Sequence, residues 1–82
     1  MIKSLASNRV LEVSQESGKQ NELVIWDVRN ADGQKFNIRQ KGPDYLFKCK
    51  RNKLYLTVDG PHNGAKIYGT SKNLGENQRF RL

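Results

Sequence analysis

Two stretches of the chain end alike. DGQKF (32–36) and ENQRF (76–80) both run through Gln, a basic residue and Phe, and each is followed by one more alternating apolar residue, Ile38 or Leu82. A chain of 82 residues that repeats an ending is restricted to folds built from copies of one unit. The repetition extends upstream. IKSLASNRVLEV (2–13) lies over FKCKRNKLYLTV (47–58) without a gap, with Ile2 on Phe47, Lys3 on Lys48, Leu11 on Leu56 and Val13 on Val58. Polar loops follow, SQESGKQNE and DGPHNG. Then LVIWDV lies over AKIYGT, which sets Trp26 on Tyr68, and the endings set Gln34 on Gln78 and Phe36 on Phe80. The offset drifts between 42 and 45 residues, with the slippage assigned to loops.

Within each unit the apolar residues alternate with a period of two. The runs are VLEV (10–13), ELVIW (22–26), KFNI (35–38), YLFKC (45–49), LYLTV (54–58), AKIY (65–68) and RFRL (79–82), with IKSL (2–5) ahead of them. Each is too short for a helix, and most are bounded by Asn, Gly, Ser, Asp or Pro. The pattern predicts an all-β chain of roughly eight short strands, four to a unit. The units are repeat 1 (1–38) and repeat 2 (43–82) of a single domain.

That unit resembles the ricin B-type β-trefoil repeat: hydrophobic–Leu-x-Val, a polar loop with Gly or Asn, apolar–aromatic, then Asn-Gln-x-Phe/Trp-x-apolar. GENQRFRL (75–82) matches the closing motif closely and ADGQKFNI (31–38) more loosely. The resemblance implies a six-stranded barrel capped by three hairpins, one four-stranded lobe for each third of the molecule. Here there are two lobes. Two lobes leave strand edges open and half an apolar core exposed. The expectation is completion by self-association, a trimer of two-lobe chains giving two closed trefoils. A partner protein supplying the third lobe, or a longer parent chain, are the alternatives. Composition agrees with outside help. At 35% hydrophobic residues and 82 positions the core is thin, since a chain this size buries only about 60–65% of its unfolded surface.

The resemblance also implies a function, a non-catalytic lectin-like module for galactose-type or related glycans. In such lobes an acid between the Leu and Val of the second strand, a third-strand aromatic, and the Asn and Gln of the closing motif surround the sugar. The aromatic face covers the C–H patch of the pyranose while carboxylate and amides read its hydroxyls. Carried over, lobe one offers Glu12, Trp26 and Gln34, with Val24 and Gly33 in place of polar residues. Lobe two offers Lys66, Tyr68, Asn77 and Gln78, with Thr57 where the acid belongs and Asp59 two residues on. Trp26 and Tyr68 read equally as core residues, Glu12 as a solvated carboxylate, and Gln34 and Gln78 mainly as partners for backbone groups in a tight turn.

The alternative comes from charge. Fifteen Lys and Arg face eight acids, a net +7, and such a balance attracts polyanions. KCKRNK (48–53) is the one dense basic stretch, and its Lys48, Lys50, Arg51 and Lys53, with Arg39 and Lys41 before them, offer a rim for acidic glycans, an anionic membrane or nucleic acid. Aromatics are not interleaved with these residues as a base-stacking platform needs, which argues against nucleic acid. A toxin-associated interaction module with degenerate sugar sites is a further alternative.

Enzyme chemistry is not expected. His62 is the single histidine and sits in a turn, Cys49 is the single cysteine and lies on an alternating strand, and no phosphate loop or paired-carboxylate motif occurs. No cofactor and no metal site are expected, and a lone cysteine forms no intrachain disulfide. The N-terminus lacks the apolar run of a signal peptide and no run approaches a membrane span, although the family resemblance suggests extracellular action.

Overall fold

The computed structural model describes residues 1–72 and 75–81, leaving aside the Asn52 side chain. Among the described residues it is all β, with six strands: β1 (Val10–Val13), β2 (Leu23–Trp26), β3 (Phe36–Lys41), β4 (Asp44–Cys49), β5 (Tyr55–Val58) and β6 (Ile67–Thr70). β1 and β2 form a two-stranded antiparallel ribbon, and β3-β4-β5-β6 a four-stranded antiparallel sheet. The two are joined where Glu22 bridges Tyr68 and the Gly69 N–H donates to the Asn21 carbonyl at 2.6 Å.

Local chemistry explains each turn. β3 and β4 are joined by Gly42-Pro43, with Gly42 at φ +63°, the sign that the first position of a type II′ hairpin turn requires. Leu23–Trp26 and Tyr55–Val58 are rich in β-branched and aromatic residues, which suit a half-buried pleated surface. The repeated endings are short 3₁₀ turns, Asp32–Gln34 and Gly75–Gln78, and each turns its glutamine inward. The Phe after each turn, Phe36 and Phe80, then packs on the core.

Two of the expected eight strands are reduced to single bridges. Lys3 bridges Val10, with backbone bonds from Ser4 N–H to Arg9 and from Leu11 N–H to Ile2, before the chain reverses at Asn8 with φ +59°. Leu5 is 95% exposed there, so the run 2–5 has no apolar face to bury. Phe80 bridges Tyr45, and the end of the run 79–82 lies outside the described residues.

The core is small: Val13, Cys49, Leu54 and Leu56, lined by Leu23, Phe36, Phe47, Ile67 and Phe80. Phe47 and Phe80 meet edge to face at 5.6 Å, a geometry the ring quadrupoles favour. Gly69 permits a close approach within this core. A Cβ there would stand 3.0 Å from the Leu54 Cβ and 3.2 Å from the Val13 Cγ1.

The strand registers correct the repeat alignment. Glu12 pairs with Val24 and Val13 with Leu23, while Thr57 pairs with Tyr68 and Val58 with Ile67. Tyr68 is therefore the counterpart of Val24, and Trp26 of Thr70. The expected match of Trp26 with Tyr68 was two residues out. A slip of two keeps every side chain on its face, so the alternation pattern could not reveal it.

Candidate functional site

Two interior glutamines anchor the site region. In lobe one the Gln34 side chain is fully buried; its Nε2 donates to Glu12 Oε1 at 2.8 Å and to the Asp27 carbonyl at 2.8 Å, and its Oε1 accepts from Arg29 N–H at 2.9 Å. The Arg29 guanidinium closes the network on the second Glu12 oxygen. Glu12 is only 5% exposed. It is not a solvated strand carboxylate, because β1 turns it under the 27–34 segment, where an amide and a guanidinium compensate its charge. Glu12 and Gln34 are thus brought together, as the sequence suggested, but within the interior.

Lobe two repeats the arrangement without charge. Gln78 Nε2 donates to the Lys72 carbonyl at 2.5 Å and to Thr57 Oγ1 at 3.3 Å, and Thr57 Oγ1 donates to the Tyr55 carbonyl at 3.0 Å. Thr57 stands where Glu12 stands, and both it and Gln78 are buried. Asn77 is exposed on its 3₁₀ turn.

The aromatic residues lie outside these networks, each at a small concavity. Trp26 is 47% exposed, so it is not core. It lines a cavity of about 280 Å³ with Ser14, Gln15, Glu16 and Arg29, whose guanidinium carbon stands 5.9 Å from the ring centroid. Tyr68 lines a second of about 260 Å³ with Lys66, Asp59, Gln20 and Glu22. Each cavity therefore combines one ring, at least one carboxylate, one cation and one glutamine. Lys66 and Tyr68 share this cavity, and Asn77 and Gln78 do not line it. Asp59 does, with its N–H donating to the Lys66 carbonyl at 2.8 Å. Gln15, Glu16, Gln20, Glu22 and Arg29 were missed by sequence reasoning, because they lie in loops and at strand ends, away from the positions that the repeat motif marks.

The basic stretch is divided. Lys48, Lys50 and Lys53 line a cavity of about 470 Å³ with Lys35, Phe36, Asn37 and Cys49. Arg39 and Lys41 line another, of about 350 Å³, with Leu46, Tyr55, Ser71 and Gln78. Arg51 turns inward, its Nε and Nη2 buried without a hydrogen-bond partner among the described residues. Its Nη1 comes so close to Gly33 that a Cβ there would lie 2.6 Å away. The six basic residues therefore do not form one continuous rim.

Cys49 is buried, its thiol donating to the Asp32 carbonyl at 3.5 Å. Burial pushes this thiol up from its ordinary value of 9.0, against a lowering by the backbone N–H and charge of Arg51, with Asp32 and Glu12 adding to the rise. Among the described residues no group of three or more His, Cys, Asp or Glu is placed to hold a metal ion. No helix there is long and apolar enough to cross a membrane.

Residues 1–70 match the family model described as ricin-type beta-trefoil lectin domain-like. No curated protein matches the chain.

Proposed function

The chain belongs to the ricin-type β-trefoil lectin domain-like family, whose membership points to carbohydrate binding in general and to a typically non-catalytic domain, and on that premise we propose that it binds galactose-type sugars through the two aromatic cavities. The observation that carries this reading is the half-exposed Trp26 ring lining a cavity with Glu16, Gln15 and Arg29. The ring covers the apolar face of a pyranose, while Glu16, Gln15 and Arg29 meet its hydroxyls; Tyr68 with Asp59, Glu22 and Lys66 does the same in lobe two. Glu12 and Gln34 act from behind by fixing Arg29, and Gln78 holds the 3₁₀ turn beside Thr57. Cavities this shallow give millimolar affinity, about −4 kcal/mol per site.

Self-association belongs to the same reading. Copies of the chain supply what two lobes lack, a trimer holding six lobes. Support comes from the exposed β3 strand and from Ile25 and Ile38, each about half exposed. Avidity would then raise the strength of weak single sites.

Trp26 is the single tryptophan, so its fluorescence reports its own cavity. Titration with galactose, lactose and N-acetylgalactosamine should shift its emission saturably, and Trp26→Ala, which removes that reporter and is followed by calorimetry, should fold normally and lose at least tenfold in affinity. An emission unmoved by any of the three sugars at about 50 mM, far above a millimolar Kd, would sink the lobe-one site. Sedimentation of the same protein should give three times the chain mass; a monomer at all concentrations overturns the assembly.

A further inference from the structure

The cavity lined by Lys35, Phe36 and Cys49 has no place in the neutral-sugar reading. At about 470 Å³ it lies within the range of small-molecule sites, and four of its lining side chains are Lys35, Lys48, Lys50 and Lys53. No carboxylate lines it. Asp32 offsets the charge from outside, 3.9 Å from Lys35 and 3.9 Å from Lys50. Lys48 and Lys53 make no ion pair among the described residues; Lys48 instead sits 5.3 Å from the centroid of the Tyr55 ring.

Four lysines lining one concavity raise its potential above that of the same charges spread on a convex face, since low-dielectric walls focus the field. Arg51 adds to it: two residues along from Cys49, which lines this cavity, it carries two buried nitrogens with no acceptor among the described residues. Phe36 and Asn37 supply the remaining wall, one apolar surface and one amide. Point-charge ammoniums suit a tetrahedral or planar anion approached from several sides.

We propose that this cavity binds the anionic group of an acidic saccharide, a sulfate ester or a uronate carboxylate, with the sugar ring lying against Phe36 and Asn37. The anionic group is what the lysines select; that it is carried on a sugar rests on the glycan-binding reading above. A nucleic acid strand is disfavoured, because it needs successive aromatics along a basic groove and here one ring lines a single pocket. An anionic membrane is disfavoured by the concavity, since surface binding uses apolar side chains that project.

Amide shifts of isotope-labelled protein, titrated with galactose 6-sulfate, galacturonate, inorganic sulfate and neutral galactose, test the proposal. One or both acidic sugars should move the amides of Phe36, Asn37, Lys48, Cys49 and Lys50, and whichever binds more tightly names the anionic group. Lys48→Gln/Lys53→Gln should weaken binding at least tenfold, Lys48→Arg/Lys53→Arg should restore it, and Lys3→Gln/Lys19→Gln, which removes the same charge elsewhere, should leave it unchanged. Silence of those amides overturns the site, as does equal weakening in the control variant. Inorganic sulfate binding as tightly as galactose 6-sulfate would mean an ion site without a saccharide. Tighter engagement of the same amides by an oligonucleotide or by phosphatidylserine vesicles would replace the ligand class. Neutral galactose, read at Trp26 and Tyr68 in the same spectra, reports on the aromatic cavities separately.

Discussion

The two lobes solve one structural problem with different chemistry. Each buries a glutamine whose amide donates to a carbonyl of its own lobe and to a β-strand side chain, Gln34 to Glu12 and Gln78 to Thr57. In lobe one the strand partner is an ionised-type side chain that needs Arg29 as well. In lobe two it is a neutral hydroxyl that satisfies itself on the Tyr55 carbonyl. A buried carboxylate demands compensation that a hydroxyl does not. The position between the second-strand Leu and Val is therefore a site of closure in both lobes, and only lobe one couples that closure to a cation beside the aromatic ring.

The sharpest way to break this comparison is to remove each glutamine. Gln34→Ala strips the Glu12 carboxylate of its amide donor and leaves the Asp27 carbonyl and Arg29 N–H unanswered, an expected loss of about 3 kcal/mol. Gln78→Ala leaves only neutral groups unanswered, for about 1.5 kcal/mol. Urea unfolding of both measures the difference, and equal losses would mean that the charge in lobe one costs nothing to bury.

Glu12→Thr gives lobe one the chemistry of lobe two. Removing the buried charge with its carboxylate should cost about 1 kcal/mol, less than Gln34→Ala, because the half-exposed Arg29 returns to water. The double variant Glu12→Thr/Gln34→Ala should fall well short of the sum, since both act on one network. Strict additivity would show that the two side chains are energetically separate.

A smaller effect concerns the floor shared by the lobes, where Cys49 lies. The folded chain holds the thiol proton more tightly than the unfolded chain, so the folded value lies above the unfolded one. The thiol's contribution to stability is then constant well below pH 9 and is lost as the pH rises past its ordinary value of 9.0, because only the unfolded state releases the proton there. Thermal unfolding from pH 7 to 10, compared with Cys49→Ala, should show this loss only in the chain that keeps the thiol. A thiol that reacts with an aromatic disulfide reagent at pH 8 as fast as a free cysteine would contradict its burial.

Strand class, repetition and the inward role of the two closing motifs were all legible in the order of residues. Those follow from local rules: alternation of period two, turn residues between runs, and a Gln-x-Phe spacing that can only place its Phe on the core if the turn before it is tight. Phe36, Phe80, Gln34 and Gln78 were legible for that reason. The rest came from contacts between strands distant in the chain. The true counterpart of Tyr68 is Val24, because register is fixed by hydrogen bonds between strands, and a slip of two is silent in a period of two. Glu12 is interior because a segment fifteen residues downstream folds over it, and Lys35 joins Lys48, Lys50 and Lys53 because the β3–β4 hairpin sets Phe36 opposite Cys49. Which side chains share a cavity depends on how separate strands meet in space, and no local pattern carries that information.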